Sequence, residues 1–222
     1  MTGSLHLKGV LWDLDGTLVD SEPAWFAAEA ALVRQWGGSW SQAQSEALTG
    51  SALHRTAGVL REAGVAMETE PLIETLLRSV ADYVKRNQAW MPGAVAALRS
   101  CREAGLKCAL VSMSWSLFTS EIEAMLPDMF NCVISGDQVT RGKPHPDAYL
   151  LAAARLGLEP AECIAIEDSP TGVASALAAG IPTVAIPALV EITPAPGLTI
   201  VPSAELLTPA TLKAIHSSHT AP

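Results

Sequence analysis

The chain has 222 residues, of which 49% are hydrophobic and 17% charged. This length and composition suit one large domain or a core with one insertion, and they exclude intrinsic disorder. The formal net charge of −9 argues against nucleic-acid binding, because no cluster of Lys and Arg offsets it. The four cysteines lack the spacing of a zinc site or a disulfide framework, which is typical of a reducing cytoplasm. No apolar stretch approaches the ~20 residues of a membrane span, and residues 1–8 do not resemble a signal peptide.

The first predicted element is a buried strand over residues 7–12, which opens at Asp13 into a polar loop. Helical patterns follow as far as residue 90, and Asp20 or Ser21 is suited to cap the first of them. The predicted helices of this stretch cover residues 21–36, 41–48, 53–63 and 71–86. Because no strand pattern interrupts them, residues 19–90 are predicted to form a helical domain inserted after the first strand.

From residue 91 onward, strands and helices alternate. The predicted strands are 106–111, 132–135, 163–166 and 181–186, and the predicted helices are 94–104, 117–125, 146–156, 170–179 and 204–215. The Pro-rich segment 187–202 is predicted to be irregular. Apolar strands joined by helices indicate an α/β fold with an open, mostly parallel, Rossmann-like sheet that is covered on both faces. Residues 1–18 and 91–222 would form this core.

Polar side chains follow four of the predicted strands, at the edge where such sheets bind ligands. They are Asp13 and Asp15, Ser112 and Ser114, Lys143, and Glu167 with Asp168. Carboxylates that converge in this way repel one another unless a proton or a cation intervenes. Oxygen ligands in a small cluster favour Mg²⁺, which also suits phosphate sites. The sequence therefore predicts a magnesium site at this edge.

The spacing of Asp13 and Asp15 suits a two-step phosphoryl transfer. In a straight strand the two side chains would face opposite sides, but Gly16 lets the chain turn so that both can reach one substrate. One carboxylate can attack phosphorus while the other protonates the departing oxygen. Lys143 adds a compact positive charge for a phosphoryl oxygen, and Ser112 adds a hydroxyl donor.

These motifs, taken together and in order, resemble those of the haloacid dehalogenase superfamily. The resemblance rests on WDLDGTL at residues 12–18, Ser112, Lys143 within RGKPHPD, and the pair Glu167-Asp168. The helical insertion resembles the α-helical cap of that superfamily. The strings DSEP (residues 20–23) and MPG (residues 91–93) are similar to the subgroup that contains β-phosphoglucomutase and small sugar-phosphate phosphatases.

The resemblance implies a role for each motif residue. Asp13 would be the nucleophile and a metal ligand, and Asp15 the general acid and base, with its backbone carbonyl on Mg²⁺. Asp168 would be the third protein ligand, and Glu167 would bind the metal directly or through water. Ser112 and Lys143 would hold the transferring phosphoryl group, as phosphoryl transfer requires.

The residues that would select the substrate are less sharply indicated. The candidates are Thr17, Glu22, Gly50, Arg55 and Ser114. Three of them have a plainer alternative: Glu22 as an exposed or capping residue, Arg55 as a surface arginine, and Ser114 as the cap of the next helix. In the same way, Asp168 or Ser169 is expected to cap the helix that begins at residue 170.

The sequence thus predicts a cytoplasmic, Mg²⁺-dependent phosphatase of a small phosphorylated metabolite, such as a sugar or polyol phosphate, that acts as a monomer or weak dimer. A β-phosphoglucomutase is the alternative enzyme. Thr17 and the lack of any histidine between His6 and His54 favour hydrolysis over mutase chemistry. A dehalogenase is disfavoured, because it needs neither a metal nor Asp15. A non-catalytic binding protein on the same fold is the third hypothesis.

Overall fold

At the centre of the computed structural model, which describes residues 6–48, 51–187 and 190–220, lies a six-stranded sheet. Its strands are β1 (Gly9–Trp12), β2 (Lys107–Val111), β3 (Cys132–Ile134), β4 (Cys163–Glu167), β5 (Thr183–Ala185) and β6 (Leu198–Ile200). The order β3-β2-β1-β4-β5-β6 places the first strand between β2 and β4, and every neighbouring pair is parallel. The predicted α/β fold with a parallel sheet is therefore confirmed.

The helices of the described residues occur where the sequence predicts them, with ends within two residues for all but the last. They are α1 (Glu22–Gln35), α2 (Gln42–Glu46), α3 (Leu53–Glu62), α4 (Thr69–Asn87), α5 (Ala94–Glu103), α6 (Ser116–Met125), α7 (Asp147–Leu156), α8 (Pro170–Ala178) and α9 (Pro209–Thr220). Ser21 occupies the N-cap position of α1, but its side chain makes no capping hydrogen bond.

The structure departs from the sequence prediction near the C-terminus. The Pro-rich segment contains β6, a three-residue strand at the edge of the sheet. The last helix begins at Pro209 rather than at residue 204, because Ala204–Leu206 form a separate 3-10 turn. Ser203 caps that turn by accepting a hydrogen bond from the backbone of Glu205, which satisfies one of the free N–H donors at its start.

Both faces of the sheet are buried, as parallel strands require. On β1, Val10 and Trp12 point into one apolar cluster, while Leu11 points into the other. The first cluster includes side chains from α5, α6 and α9, together with those of the inserted helices. The helical side chains of the second come from α7, together with Ala176 of α8. Each large side chain buried in this way contributes about 1.5–3 kcal/mol to folding.

Helices α1–α4 join the rest of the chain through two adjacent segments. Val19 and Trp90 form an antiparallel bridge, flanked by hydrogen bonds from Asp20 N to Ala89 O and from Met91 N to Leu18 O, each 2.9 Å long. The entry and exit of the insertion are therefore tied together beside the end of β1. Within the described ranges, no helix has both the length and the apolar composition that crossing a membrane requires.

Gly93 and Gly105 allow a matched test of packing at the end of the insertion. Both have positive φ, 76° and 78°, but a Cβ on Gly93 would lie 2.7 Å from the backbone nitrogen of Glu205, whereas one on Gly105 would meet nothing within 4 Å. We expect Gly105→Ala to lower the free energy of unfolding by about 1–2 kcal/mol through backbone strain alone. Gly93→Ala should cost clearly more in urea unfolding, and equal losses would contradict this account of the contact.

Candidate active site

Asp13, Lys143 and Glu167 form a buried ion cluster at the carboxyl end of the sheet. The Nζ atom of Lys143 lies 2.6 Å from Asp13 Oδ1 and 2.6 Å from Glu167 Oε1, and it donates a third hydrogen bond of 3.0 Å to the carbonyl of Val111. The side chains of Lys143, Asp13 and Glu167 are only 6%, 10% and 1% exposed. All three N–H donors of the ammonium group are therefore used inside the protein.

The sheet itself brings these residues together. Asp13 directly follows β1, and its amide extends the ladder to β4 by donating to Ile166 O. Glu167 is the last residue of β4, the neighbour of β1. Lys143 comes from the loop between β3 and α7 and reaches the centre of the sheet from the other side. Parallel strands end at one edge, so their polar ends meet there.

Asp168 completes a group of carboxylates that could hold a cation. One oxygen from each of Asp13, Glu167 and Asp168 lies within 4.8 Å of the others. Gly16, with φ of +81°, packs so closely on the carboxylate of Asp168 that a side chain at position 16 would overlap it. The turn after Asp15 can therefore approach the cluster only because its residue is glycine.

The charges of this cluster are unbalanced. Burial raises the pKa of Asp13 well above its ordinary value, and the charge of Glu167 adds to the effect, while Lys143 opposes it. Burial and then the charge of Glu167 raise the pKa of Asp168 to about 7. Burial alone would lower the pKa of Lys143, but the charges of Asp13 and Glu167 raise it, so the ammonium stays protonated. Three carboxylates with one ammonium leave an excess of negative charge, which fits a divalent cation with oxygen ligands.

The two oxygens of Glu167 are already engaged by protein donors. Oε1 accepts from Lys143, and Oε2 accepts hydrogen bonds of 3.3 Å from the Ser169 hydroxyl and from the amide of Asp168. Ser169 is also the N-cap of α8, since its Oγ accepts a hydrogen bond from Gly172 N at 3.1 Å. The sequence predicts either Asp168 or Ser169 as this cap, and the structure shows that it is Ser169. Glu167 is thus held rigidly at the base of the cluster.

Asp15 lies in a different environment from Asp13. Its Oδ2 accepts hydrogen bonds from Ser114 Oγ at 3.0 Å and from Ser112 Oγ at 3.3 Å. Its Oδ1 is buried and has no hydrogen-bond partner among the described residues. Ser114 does not cap α6, whose N-cap is Trp115. Both serines after β2 therefore act on Asp15 in this structure.

The remaining candidate residues are not gathered at one point. Thr17 and Glu22 line a cavity of about 380 Å³ between the start of the insertion and the ends of β5 and β6, and Gly16 also borders it. Arg55 is exposed on α3. Gly50 lies outside the described residues.

The insertion contacts the loop that carries the two serines. The ring of His54, on α3, lies 5.5 Å from the ring of Trp115, centroid to centroid, and His54 Nε2 lies 3.1 Å from Glu70 Oε1 on α4. Helix α4 also packs against α6. The inserted helices therefore lie over the β2 side of the carboxylate cluster.

Comparison with known proteins agrees with this geometry. The sequence profile of the haloacid dehalogenase-like hydrolases matches residues 10–186. This chain belongs to that family. Hexitol phosphatase A of Escherichia coli K12 is 38% identical to the hydrolase over 191 residues, covering 82% of this chain and 84% of that protein. A phosphorylated carbohydrates phosphatase of Thermotoga maritima is 30% identical over 186 residues, covering 79% and 82%.

A solved structure shows the same fold at lower sequence identity. CbbY of Rhodobacter sphaeroides, in complex with xylulose-(1,5)bisphosphate, is similar to the hydrolase with a TM-score of 0.83 and 21% identity. The match covers 93% of this chain and 99% of the other. At this identity the likeness supports the fold and not the activity.

Tyr149 is a member of the hydrolase's ion cluster that the sequence reasoning missed. Its hydroxyl donates to Glu167 Oε1 at 2.6 Å, and its ring centroid lies 5.0 Å from Lys143 Nζ. A signal was present in the sequence: Tyr149, Ala152, Ala153 and Leu156 follow the spacing of a buried helical face. A tyrosine on such a face needs a partner for its hydroxyl, and the nearby strand ends could supply one.

The raised carboxyl pKa values predict an unusual pH dependence of stability when divalent cations are removed by a chelator. Because the pKa of Asp168 is raised from 3.8 to about 7, the folded state binds more protons than the unfolded state between these values. The free energy of unfolding should therefore fall as the pH rises through this window. Asp168→Asn should flatten the dependence in urea unfolding, whereas Asp82→Asn, at an exposed position of α4, should keep it. A parallel pH dependence in both variants would refute the assignment.

Proposed function

We propose that this hydrolase is a Mg²⁺-dependent phosphatase that acts on a small sugar or polyol phosphate through an aspartyl-phosphate. The observation that carries the proposal is the contrast between two neighbouring aspartates. Asp13 is paired with the buried ammonium of Lys143, and Asp15 is held through one oxygen and leaves the other buried without a partner among the described residues. The first suits a nucleophile beside a phosphoryl group, and the second suits a proton carrier.

In the first step, a carboxylate oxygen of Asp13 forms a bond to phosphorus, and the bond from phosphorus to the substrate oxygen breaks. Asp15 gives its proton to that departing oxygen, which leaves as an alcohol. Lys143 offers positive charge to the phosphoryl oxygens. Ser112 lies in the same site, because its hydroxyl donates to Asp15. Most of the barrier to such a transfer is lowered by positioning and charge stabilisation.

In the second step, water attacks the phosphorus of the aspartyl-phosphate. Asp15, now ionised, takes a proton from that water, and the bond between phosphorus and Asp13 breaks. Inorganic phosphate leaves, Asp13 regains its carboxylate, and Asp15 is again protonated for the next substrate. Ser112 and Ser114 both donate to Oδ2 of Asp15, so Oδ1 is the oxygen that would carry the proton in both transfers.

The residues present fit a Mg²⁺ ion. Asp13 and Asp168 would hold it with the backbone carbonyl of Asp15, and Glu167 would act through water, because its own oxygens already accept hydrogen bonds from Lys143, Ser169 and Asp168 N. When bound, the ion would neutralise the excess negative charge and so allow a phosphate dianion to approach. Lys143 alone cannot balance the carboxylates that surround it.

The substrate class follows from the relatives and from the insertion. The curated relatives described above are a hexitol phosphatase and a phosphorylated carbohydrates phosphatase, which supports a sugar or polyol phosphate here. We further propose that residues 19–90 form a cap on the core, that Thr17, Glu22, Gly50, Arg55 and Ser114 contribute to substrate selection, and that closure of the cap excludes water. The packing of His54 on Trp115 supports such a closed arrangement.

A β-phosphoglucomutase is the alternative, and it differs in what happens to the phosphoenzyme. A mutase must keep water from the aspartyl-phosphate until the substrate returns, and it needs a bisphosphate to start. Release of inorganic phosphate without a bisphosphate would exclude it. A non-catalytic binding protein is disfavoured, because none of the motif residues is lost.

Location and assembly stay predictions. A cytoplasmic protein is consistent with four free cysteines, and burial raises the pKa of the Cys108 thiol to about 12, which keeps it unreactive. We expect the hydrolase to act as a monomer or a weak dimer.

Phosphate release from a panel of sugar and polyol monophosphates tests the proposal. We expect turnover with Mg²⁺, none with a chelator, and a loss of at least about 10³-fold in Asp13→Asn, because the nucleophile is removed. Asp82→Asn makes the same chemical change on the exposed surface of α4 and should keep wild-type activity. Phosphate release that persists in Asp13→Asn would exclude the aspartyl-phosphate mechanism.

A further inference from the structure

Tyr149 contacts both Lys143 and Glu167, the two members of one buried ion pair. It is fully buried on α7, in the apolar cluster on one face of the sheet. Its hydroxyl donates to Glu167 Oε1 at 2.6 Å, the same oxygen that accepts from Lys143. Burial and the charge of Glu167 raise the pKa of Tyr149 well above its ordinary value, so the hydroxyl remains a donor.

The hydrogen bonds of Lys143 explain why a second donor to Glu167 matters. All three N–H groups of the ammonium are used, by Asp13, Glu167 and the carbonyl of Val111. To bind a phosphoryl oxygen, Lys143 must therefore give up or share one of these bonds. Leaving a buried carboxylate oxygen without any donor is costly. Tyr149 removes that cost at Glu167, because Oε1 keeps one short hydrogen bond when the ammonium moves away.

The aromatic ring has a second effect on the same ammonium. Its centroid lies 5.0 Å from Lys143 Nζ, within the range in which a cation is attracted to the face of a ring. The ring itself is fully buried in the apolar cluster to which α7 contributes. Phenylalanine would supply this face without the hydroxyl, and leucine would supply neither.

From these contacts we infer that Tyr149 is a positioning residue, which holds Glu167 in place and so frees Lys143 to contact the transferring phosphoryl group. The inference rests on the proposed function of the site, since it assumes that Lys143 acts on a phosphoryl oxygen. The plainer explanation is a buried tyrosine whose hydroxyl merely finds a partner. Only the positioning role predicts that loss of the hydroxyl changes turnover and that phosphate binding changes the environment of Tyr149.

The matched variants are Tyr149→Phe and Tyr83→Phe. The chain has two tyrosines, and Tyr83 lies on α4 in the insertion, so both variants lose one phenolic hydroxyl. In Tyr149→Phe we expect kcat to fall roughly tenfold while KM changes by less than about twofold, because the lost interaction acts in the transition state. Tyr149→Leu should lose more, and Tyr83→Phe should match the wild type. A Tyr149→Phe enzyme that unfolds more easily but keeps its kcat when folded would leave only the structural role.

A spectroscopic measurement on the protein with its native Tyr149 does not depend on turnover or on the folding of a Tyr149 variant. Labelling with 3-fluorotyrosine should give two fluorine resonances, and Tyr83→Phe identifies which of them belongs to Tyr149. We expect Mg²⁺ with inorganic phosphate to shift the Tyr149 resonance and leave the Tyr83 resonance in place. A Tyr149 signal that does not move at phosphate concentrations that inhibit the enzyme would overturn the inference.

These results separate the inference from the function on which it rests. If the wild-type protein releases no phosphate from any monophosphate with Mg²⁺, the proposed function fails first. If the wild type is active and Tyr149→Phe behaves as Tyr83→Phe does, only the role of Tyr149 fails.

Discussion

The confinement of several carboxylates around a single ammonium is the interaction on which the rest of this structure depends. A parallel sheet ends all its strands at one edge, so Asp13 after β1 and Glu167 at the end of β4 are neighbours by construction. Lys143 is their shared counter-ion, and with Asp168 the negative charges outnumber it. Charges buried this deeply are tolerated only when they are paired and hydrogen-bonded. The site is therefore built as one network.

Much of the surrounding packing serves to hold this network at close range. Gly16 lets the turn after Asp15 lie against Asp168, and Gly172 lets the first turn of α8 lie against Glu167, where a larger residue would overlap the carboxylate. The apolar clusters on both faces of the sheet supply the stabilisation that offsets the crowded charge. Removing one partner of a buried pair costs about 3–5 kcal/mol, since the other charge is left uncompensated. The same close approach of negative charges that destabilises the folded state also makes the site suitable for a cation and a phosphoryl group.

The sequence predicts the strands and the polar residues at their ends well, because apolar runs and breakers are local signals. It does not predict β6, a three-residue edge strand in a Pro-rich segment, because pairing with β5 rather than local pattern defines it. The sequence also leaves two roles open for Ser114, a contact to substrate and the cap of a helix. In the structure, the Ser114 hydroxyl instead donates a hydrogen bond to Asp15. The contribution of Tyr149 is equally hidden, since its partner lies on another element, at the end of β4. Contacts between distant segments decide these roles.

Asp13 and Asp15 show how environment, and not residue type, divides the work of a site. They are two positions apart and carry the same side chain, yet Asp13 meets Lys143, while Asp15 meets the hydroxyls that follow β2. The ammonium of Lys143 opposes the rise in the Asp13 pKa that burial and Glu167 cause, and so favours the ionised form that a nucleophile requires. Hydroxyls can both donate and accept, so they can hold a carboxyl group whether or not it carries a proton. That tolerance is what a residue needs if it is to release a proton in one step and recover it in the next.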